Sequence, residues 1–473
     1  MKTIYMVGIC GTGMGNLAMM LKSKGYNVVG SDSNVYPPMS TVLTNAGIKI
    51  LQGYKEENLK ELPDMAIIGN VVRRDNPEAQ LLINSDVKYY SMPEALREFF
   101  FNDKKTVVVT GTHGKTTTSF MAAWLLENAG LKPGFFIGGV PKDFEVMGRP
   151  AQGDYFVIEG DEYDTAFFDK AAKFFHYNPK YLIINCIEFD HADIYPDLES
   201  IKNAFGKLVA KMPKDGVIVY NAQDKNIADI LHLANCKTVS FSGDEKTPAD
   251  YKAQKIRVEH GDIESNTEPK LNFEVISKKE SHPFTLSVPG MHNVLNAMAV
   301  IALSQEMGLG IDKVRHALDS FRGVKRRQEV YGTSGGRIII DDFAHHPTAL
   351  SYTIDAIKEW YYPRRIWCLF EPRSATSRTN ILQNEVIDAL SKAERVILPP
   401  VNQPERVEES KRFNPEYVCK VLRDRGVDAQ NLAGVDEIVE YLSENTAPGD
   451  VILIMSNGGF GGIYEKLMKA FQA

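Results

Sequence analysis

Between positions 111 and 117 the chain reads Gly111-Thr112-His113-Gly114-Lys115-Thr116-Thr117, residue types suited to holding a polyphosphate. Glycines let backbone N–H groups wrap phosphate oxygens, Lys115 supplies a cation, and the Thr116 hydroxyl can reach a bound Mg2+. A β-branched run at 106–110 precedes the loop and a helix-like stretch at 118–127 follows it. The order strand, glycine turn, helix is the one in which helix amides face an anion. Val109 stands where the general pattern G-x-x-x-x-G-K-[ST] has its first glycine. A chance Gly and Thr-rich turn would not require that order of elements.

Two acidic segments follow at the ends of expected strands: Glu159-Gly160-Asp161-Glu162-Tyr163-Asp164 and Glu188-Phe189-Asp190-His191. Alone, each reads as a solvated acidic turn. Placed after a phosphate loop in an open α/β sheet they read as ligands, because such sites gather beyond the carboxyl ends of strands. Mg2+ prefers carboxylates, hydroxyls and phosphate oxygens, so Glu159 and Thr116 are the chemically favoured metal ligands, with His191 a less usual third.

A second glycine loop, Gly8-Ile9-Cys10-Gly11-Thr12-Gly13, closes the first strand and opens a helix, with Asp32 at the end of the next strand. Backbone approach to a diphosphate, and an acidic contact to a ribose, would follow from that placement. The spacing is GxxGxG rather than GxGxxG, so the loop alone does not specify NAD; a structural tight turn is the bland alternative. Further along, His292, Asn293 and Asn296 begin an Ala-rich helix after Pro289-Gly290, a pattern that serves either capping or base contact. Arg326-Arg327 is either a solvated linker or a phosphate clamp on a joint. Asp341-Asp342-Phe343-Ala344-His345-His346-Pro347 clusters ionisable groups at a strand end. Ser456-Asn457-Gly458-Gly459-Phe460-Gly461-Gly462 offers either backbone approach to a ligand or a flexible turn.

These motifs need rigid strands behind them. In the first hundred residues short apolar runs (3–9, 26–30, 65–69) alternate with helix-like stretches such as 14–24, the rhythm of a parallel α/β sheet. A polar break at 102–105 sets a boundary, and further strands are expected at 155–159, 181–187 and 216–221. A polar stretch at 243–281 reads as an excursion or hairpin. After the basic cluster 325–327, strands at 337–341, 365–370 and 451–455 define a third α/β region. The domain limits expected are therefore 1–103, 104–323 and 324–473, in keeping with about 150 residues per domain for a chain of 473.

Composition narrows the classes. Hydrophobic residues make up 44% and charged residues 24%, ordinary for a globular protein, and no apolar stretch approaches the roughly 18 residues of a membrane span. The first strand begins too early for a signal-peptide pattern. Five scattered cysteines without a C-x-x-C pair give neither a disulfide framework nor a zinc site and suit a reducing cytoplasm. A net charge of -7 argues against nonspecific nucleic-acid binding.

Taken in order, the motifs resemble those of the Mur ligases over essentially the whole chain. The resemblance implies three α/β domains: a Rossmann-like N-terminal domain for a UDP-sugar, a central P-loop ATPase domain, and a Rossmann-like C-terminal domain closing over ATP and acceptor. It implies ATP binding by Gly111, Thr112, His113, Gly114, Lys115, Thr116 and Thr117, with His292, Asn293, Asn296, Arg327 and Asp342 on the adenine and closing side. Lys115, Glu159, His191 and Arg327 become catalytic, and Thr116, Glu159 and His191 the Mg2+ ligands. Gly8, Gly11, Thr12, Gly13 and Asp32 become the UDP-sugar contacts, implying UDP-N-acetylmuramate as donor. The segments 35–40, 371–374 and 456–462 look more like the tripeptide-adding branch than the alanine-adding one. That implies L-alanyl-γ-D-glutamyl-meso-diaminopimelate as acceptor in peptidoglycan recycling, with Arg373, His345, Ser456 and Asn457 near it. Cys186 departs from the alanine-adding pattern, which usually has Asn there. The competing expectations are a UDP-N-acetylmuramate:L-alanine ligase, an NAD-dependent dehydrogenase, which leaves the second loop unexplained, and a noncatalytic nucleotide-binding regulator.

Overall fold

The computed structural model describes residues 1–192, 194–261, 268–277 and 280–472. The chain divides into two compact units, one of Met1–Ile187, Glu199–Ser240 and Ala299–Val314, the other of Glu188–Leu198, Phe241–Met298 and Arg315–Ala473.

The first unit opens with five parallel strands in the order Lys49–Gln52, Asn27–Asp32, Thr3–Val7, Met65–Ile68, Lys88–Ser91. The middle strand, Thr3–Val7, is apolar and buried along nearly its whole length, as a strand covered on both faces must be. The helix Thr12–Ser23 follows it. The strand expected at 3–9 ends at Val7 because Gly8 turns left-handed at φ 82°, which starts the glycine loop.

In the same unit, Lys105–Thr110 lies between Tyr155–Gly160 and Tyr181–Ile184, all parallel, with Val217–Asn221 beyond Tyr181–Ile184. The third of these strands stops at Ile184, so residues 185–187 are loop rather than the strand expected there. Between the two acidic segments a hairpin, Asp164–Ala166 with Asp169–Ala172, carries Phe167 and Phe168 at its tip. Both rings pack on the apolar cluster formed by Tyr5, Val7, Ala66 and Ile68 of the first sheet. Phe168 meets Tyr89 edge-on at 5.4 Å, and His176 Nε2 lies 2.8 Å from Asp169 Oδ2 at the hairpin stem. Phe101 stacks obliquely on Phe156 at 4.9 Å. This shared aromatic packing is why the first hundred residues and the P-loop sheet form one unit although a polar break separates them in sequence.

In the second unit, Tyr251–Glu259, Lys270–Ser277 and Glu280–Leu286 form an antiparallel meander. This is the excursion expected from the polar stretch, and Lys270–Ser277 alternates between buried and partly exposed positions, as a sheet covered on one side does. The C-terminal sheet runs Glu329–Ser334, Arg337–Asp342, Val451–Met455, Ile366–Phe370, Arg395–Leu398, Asp428–Asn431. Only the edge strand Glu329–Ser334 is antiparallel. Ile340 and Leu453 pack on one face and Ile339 and Ile452 on the other, so consecutive residues feed two cores. Among the described residues no helix is long and apolar enough to cross a membrane.

Candidate active site

The phosphate loop is stitched to the strand end beside it. Gly111 sits at φ 129°, and a Cβ there would lie 2.9 Å from the Cys186 carbonyl oxygen, so only glycine fits. Thr112 N–H donates to that carbonyl at 2.9 Å, and His113 N–H donates to Cys186 Sγ at 3.3 Å. The amide that Cys186 lacks is supplied one residue earlier: Asn185 Nδ2 donates to Thr118 Oγ1 at 3.0 Å and to His113 O at 3.4 Å. Helix Lys115–Asn128 begins behind a left-handed Gly114 with no side-chain cap. Its first amides are the kind of uncapped donors that bind phosphate oxygens.

Lys115 is largely but not fully buried, with Nζ 2.7 Å from Gly111 O and 3.0 Å from Glu162 Oε2. Burial works against its charge, but Glu162 and Asp161 hold its proton more tightly than in an ordinary lysine. Glu162, which the sequence reading placed only within an acidic segment, is therefore the internal counterion of the loop lysine. Glu159 faces the same loop. Burial and the neighbouring Asp161 push its carboxyl up to about 7, although Gly138 N–H and the Thr116 hydroxyl both donate to it. A carboxylate whose charge is so poorly compensated, hydrogen-bonded to a threonine hydroxyl, is a fitting pair of hard ligands for a divalent cation. Asp161 behaves oppositely: burial raises it, but Lys173 and Lys115 hold it below the usual carboxylate range.

The other glycine loop precedes helix Thr12–Ser23, whose N-cap Gly11 makes no side-chain cap bond. Thr12 and Gly13 thus carry open amides for a diphosphate. Asp32 is already engaged with backbone: Oδ2 accepts from Cys10 N–H at 2.9 Å and Oδ1 from Asn34 N–H at 3.0 Å. It braces the loop, and any ribose contact would be added to those bonds. A cavity of about 270 Å³ within this unit is lined by Thr12, Gly13 and Asn16 of the first glycine loop and its helix, together with Glu159, Asp161 and Lys173.

The second unit gathers the remaining candidates. Gln328 Nε2 lies 2.8 Å from His292 Nε2, and burial pulls that imidazole down to about 4. A Gln amide donating to Nε2 leaves the proton of the neutral ring on Nδ1. Asn293 Nδ2 donates to Pro289 O at 2.7 Å and to Gln328 Oε1 at 3.2 Å, and Asn296 Nδ2 to Asn293 Oδ1 at 3.1 Å. Asp342 accepts from the backbone of Gln328 and Ala344, and burial raises its carboxyl while Arg327 opposes that rise. Arg327 lies over the Phe343 ring at 4.9 Å. The structure thus joins His292, Asn293, Asn296, Arg327 and Asp342 through Gln328, a residue that belongs to none of the sequence motifs. Arg326, by contrast, is spent inside the C-terminal sheet, on Asp341 at 3.1 Å and on the carbonyls of Ser456 and Gly458.

His191 belongs to this unit too, with a left-handed φ of 53° and its N–H on Asp190 Oδ1 at 2.7 Å. Burial opposes the Asp190 charge, yet His191, His345 and His346 around it hold the carboxyl down at about 2. Thr376 Oγ1 donates to the same oxygen at 2.9 Å. His345 Nδ1 lies 3.0 Å from Phe343 O. The Ser456 hydroxyl is fully buried, donating to Glu371 and accepting from Gly458 N–H, so it shapes the glycine turn rather than facing open space. Asn457 Oδ1 is buried with no hydrogen-bond partner among the described residues. Arg373 lies 3.8 Å from Glu371 and is half-buried; a Cβ on Gly458 would fall 2.2 Å from its Nε, so that glycine makes room for the guanidinium.

Three family descriptions cover this arrangement in order: "Mur ligase family, catalytic domain" over 3–102, "Mur ligase middle domain" over 109–304, and "Mur ligase, glutamate ligase domain" over 326–458. The chain belongs to the Mur ligase family, whose members are ATP-dependent, ADP-forming ligases making C–N bonds. It is 40% identical over 466 residues, 98% of this chain and 97% of the relative, to the "UDP-N-acetylmuramate--L-alanyl-gamma-D-glutamyl-meso-2,6-diaminoheptandioate ligase" of Escherichia coli. A solved murein peptide ligase from Psychrobacter arcticus matches with TM-score 0.70 and 33% identity, covering 100% of this chain and 99% of that one. The UDP-N-acetylmuramate-alanine ligase of Thermotoga maritima superposes with TM-score 0.78 at 27% identity, with the same coverage.

Proposed function

We propose that this chain joins the carboxylate of UDP-N-acetylmuramate to the alanine amine of L-alanyl-γ-D-glutamyl-meso-diaminopimelate at the expense of ATP, in the cytoplasm. The observation that carries the choice of substrates is the 40% identity, over 98% of the chain, to the Escherichia coli ligase of that name. Backbone superposition alone favours the alanine-adding enzyme of Thermotoga maritima, at TM-score 0.78. Superposition reports the shared fold, whereas acceptor choice lies in side chains, so the sequence carries more weight here.

The donor carboxylate oxygen attacks the γ-phosphorus of ATP, and the bond to the bridging oxygen breaks to release ADP. The acceptor amine then attacks the acyl carbon, loses a proton and expels inorganic phosphate. Lys115 and the amides of loop 111–117 bind the transferring phosphate, which requires Lys115 to exchange its contact with Glu162 for one with phosphate oxygen. Mg2+ held by Thr116 and Glu159 would offset the charge on the phosphates, and His191 is assigned to a second ion. His292, Asn293 and Asn296 are assigned to the adenine, and Arg327 and Asp342 to the closing side of ATP. Gly8, Gly11, Thr12 and Gly13, braced by Asp32, are assigned to the UDP-sugar. Arg373, His345 and Asn457 are assigned to the acceptor, with Ser456 shaping their turn. The domain limits 1–103, 104–323 and 324–473 go with these assignments.

ADP release measured with UDP-N-acetylmuramate against L-alanine, the dipeptide and the tripeptide tests the reading, with Lys115→Ala as the ATP-site control. Turnover should be highest with the tripeptide and lost in the control. Faster ligation of L-alanine than of tripeptide at matched concentrations would replace this reading with the alanine-adding one.

A further inference from the structure

The cavity beside the first glycine loop has an uneven charge. Its lining includes the carboxylates Glu159 and Asp161, and among the described lining residues Lys173 is the one cationic side chain. Lys173 is almost completely buried, which an unpaired lysine does not tolerate. It enters from the residue after the hairpin stem, at the start of the short turn Lys173–His176. Its Nζ lies 3.2 Å from Asp161 Oδ2 and 4.0 Å from the centre of the Tyr163 ring, so two neighbours fix where the ammonium sits. An ammonium has three N–H donors, and among the described residues Asp161 is the one hydrogen-bond acceptor given to it.

A ligand that spans this cavity places its diphosphate at the uncapped amides of Thr12 and Gly13. Its reacting end then lies at the Glu159 wall, where Lys173 also lies. Resting on the donor reading above, we propose that Lys173 is a specificity residue that holds the lactyl carboxylate of UDP-N-acetylmuramate, with Asp161 and Tyr163 as its mount. The donor must bring an anion into a space bordered by two acids. Lys173 offsets that repulsion and orients one carboxylate oxygen, leaving the other free to attack phosphorus.

The test is equilibrium binding, without ATP or acceptor, of three probes: UDP-N-acetylmuramate, its methyl ester, and UDP-N-acetylglucosamine, which lacks the lactyl group. The native protein should prefer the free acid, and Lys173→Met should weaken it by about ten- to a hundredfold while leaving the ester and UDP-N-acetylglucosamine within about twofold. Because Lys173→Met strands a buried Asp161 charge, the pair Lys173→Met with Asp161→Asn is measured alongside, and Lys173→Arg should restore part of the preference. A folded double variant that still prefers the free acid, or that loses all three probes equally, overturns the assignment. No preference for the free acid over the two probes without a free carboxylate in the native protein would overturn the donor reading itself.

Discussion

His292 illustrates how a single side chain carries both a role and a pH dependence. Its imidazole is buried against Gln328 and lies near the Arg327 charge, and its folded value is about 4, against 6.5 for a free histidine. The fold favours the neutral ring, so the stability this gives is present above about 6.5 and is lost as pH falls through about 4. Replacing His292 with Asn should flatten that part of the stability profile in chemical denaturation between those pH values. An unchanged slope would mean that the ring titrates as an exposed one. The residue type and its place at a helix start were legible in the sequence, as were Lys115, Thr116 and Glu159. Glu162, Gln328 and Asn185 were not, because each acts through a contact made by folding rather than through a spacing. Gln328 lies 36 positions from the ring it touches.

Among the elements, parallel strands such as Thr3–Val7, Lys105–Thr110 and Val451–Met455 could be read directly, since a strand covered on both faces is a continuous β-branched or aliphatic run. The hairpin Asp164–Ala172 starts at the last residue of the first acidic segment and is not legible in the sequence, because its arms of three and four residues are too short to set up an alternation. Its apolar tip links two sheets of one unit. Phe168→Ala removes a partly buried ring that packs on Tyr89 and should cost about 2 kcal/mol in urea denaturation. A change under about 0.5 kcal/mol, the level of an ordinary surface substitution, would mean that the tip only rests on the first sheet.

At the scale of the whole molecule, donor and acceptor assignments fall on different units: the glycine loops, Glu159 and Lys173 on the first, Arg373, His345 and Asn457 on the second. Residues 188–198 cluster with the second unit although the sequence reading set them inside the central stretch. No local pattern could indicate that, since Asp190 is held there by Thr376, 186 positions away. Arg373, His345 and Asn457 are not among the residues assigned to either nucleotide, so acceptor selection can be tested separately from nucleotide binding. The tripeptide and L-alanine present the same amine, so discrimination depends on carboxylates remote from it, and an arginine can hold one of them in a bidentate pair. If that remote binding energy orients the amine, Arg373→Ala should lower kcat for the tripeptide as well as raise its KM, while UDP-N-acetylmuramate and ATP bind as before. Gly458→Ala provides an independent route to the same outcome, because its new methyl would occupy the space 2.2 Å from Arg373 Nε and push the guanidinium aside without removing it. Both variants should lose tripeptide ligation in parallel and keep their nucleotide affinities. A Gly458→Ala enzyme with unaltered tripeptide kinetics would show that the position of Arg373 does not govern acceptor choice.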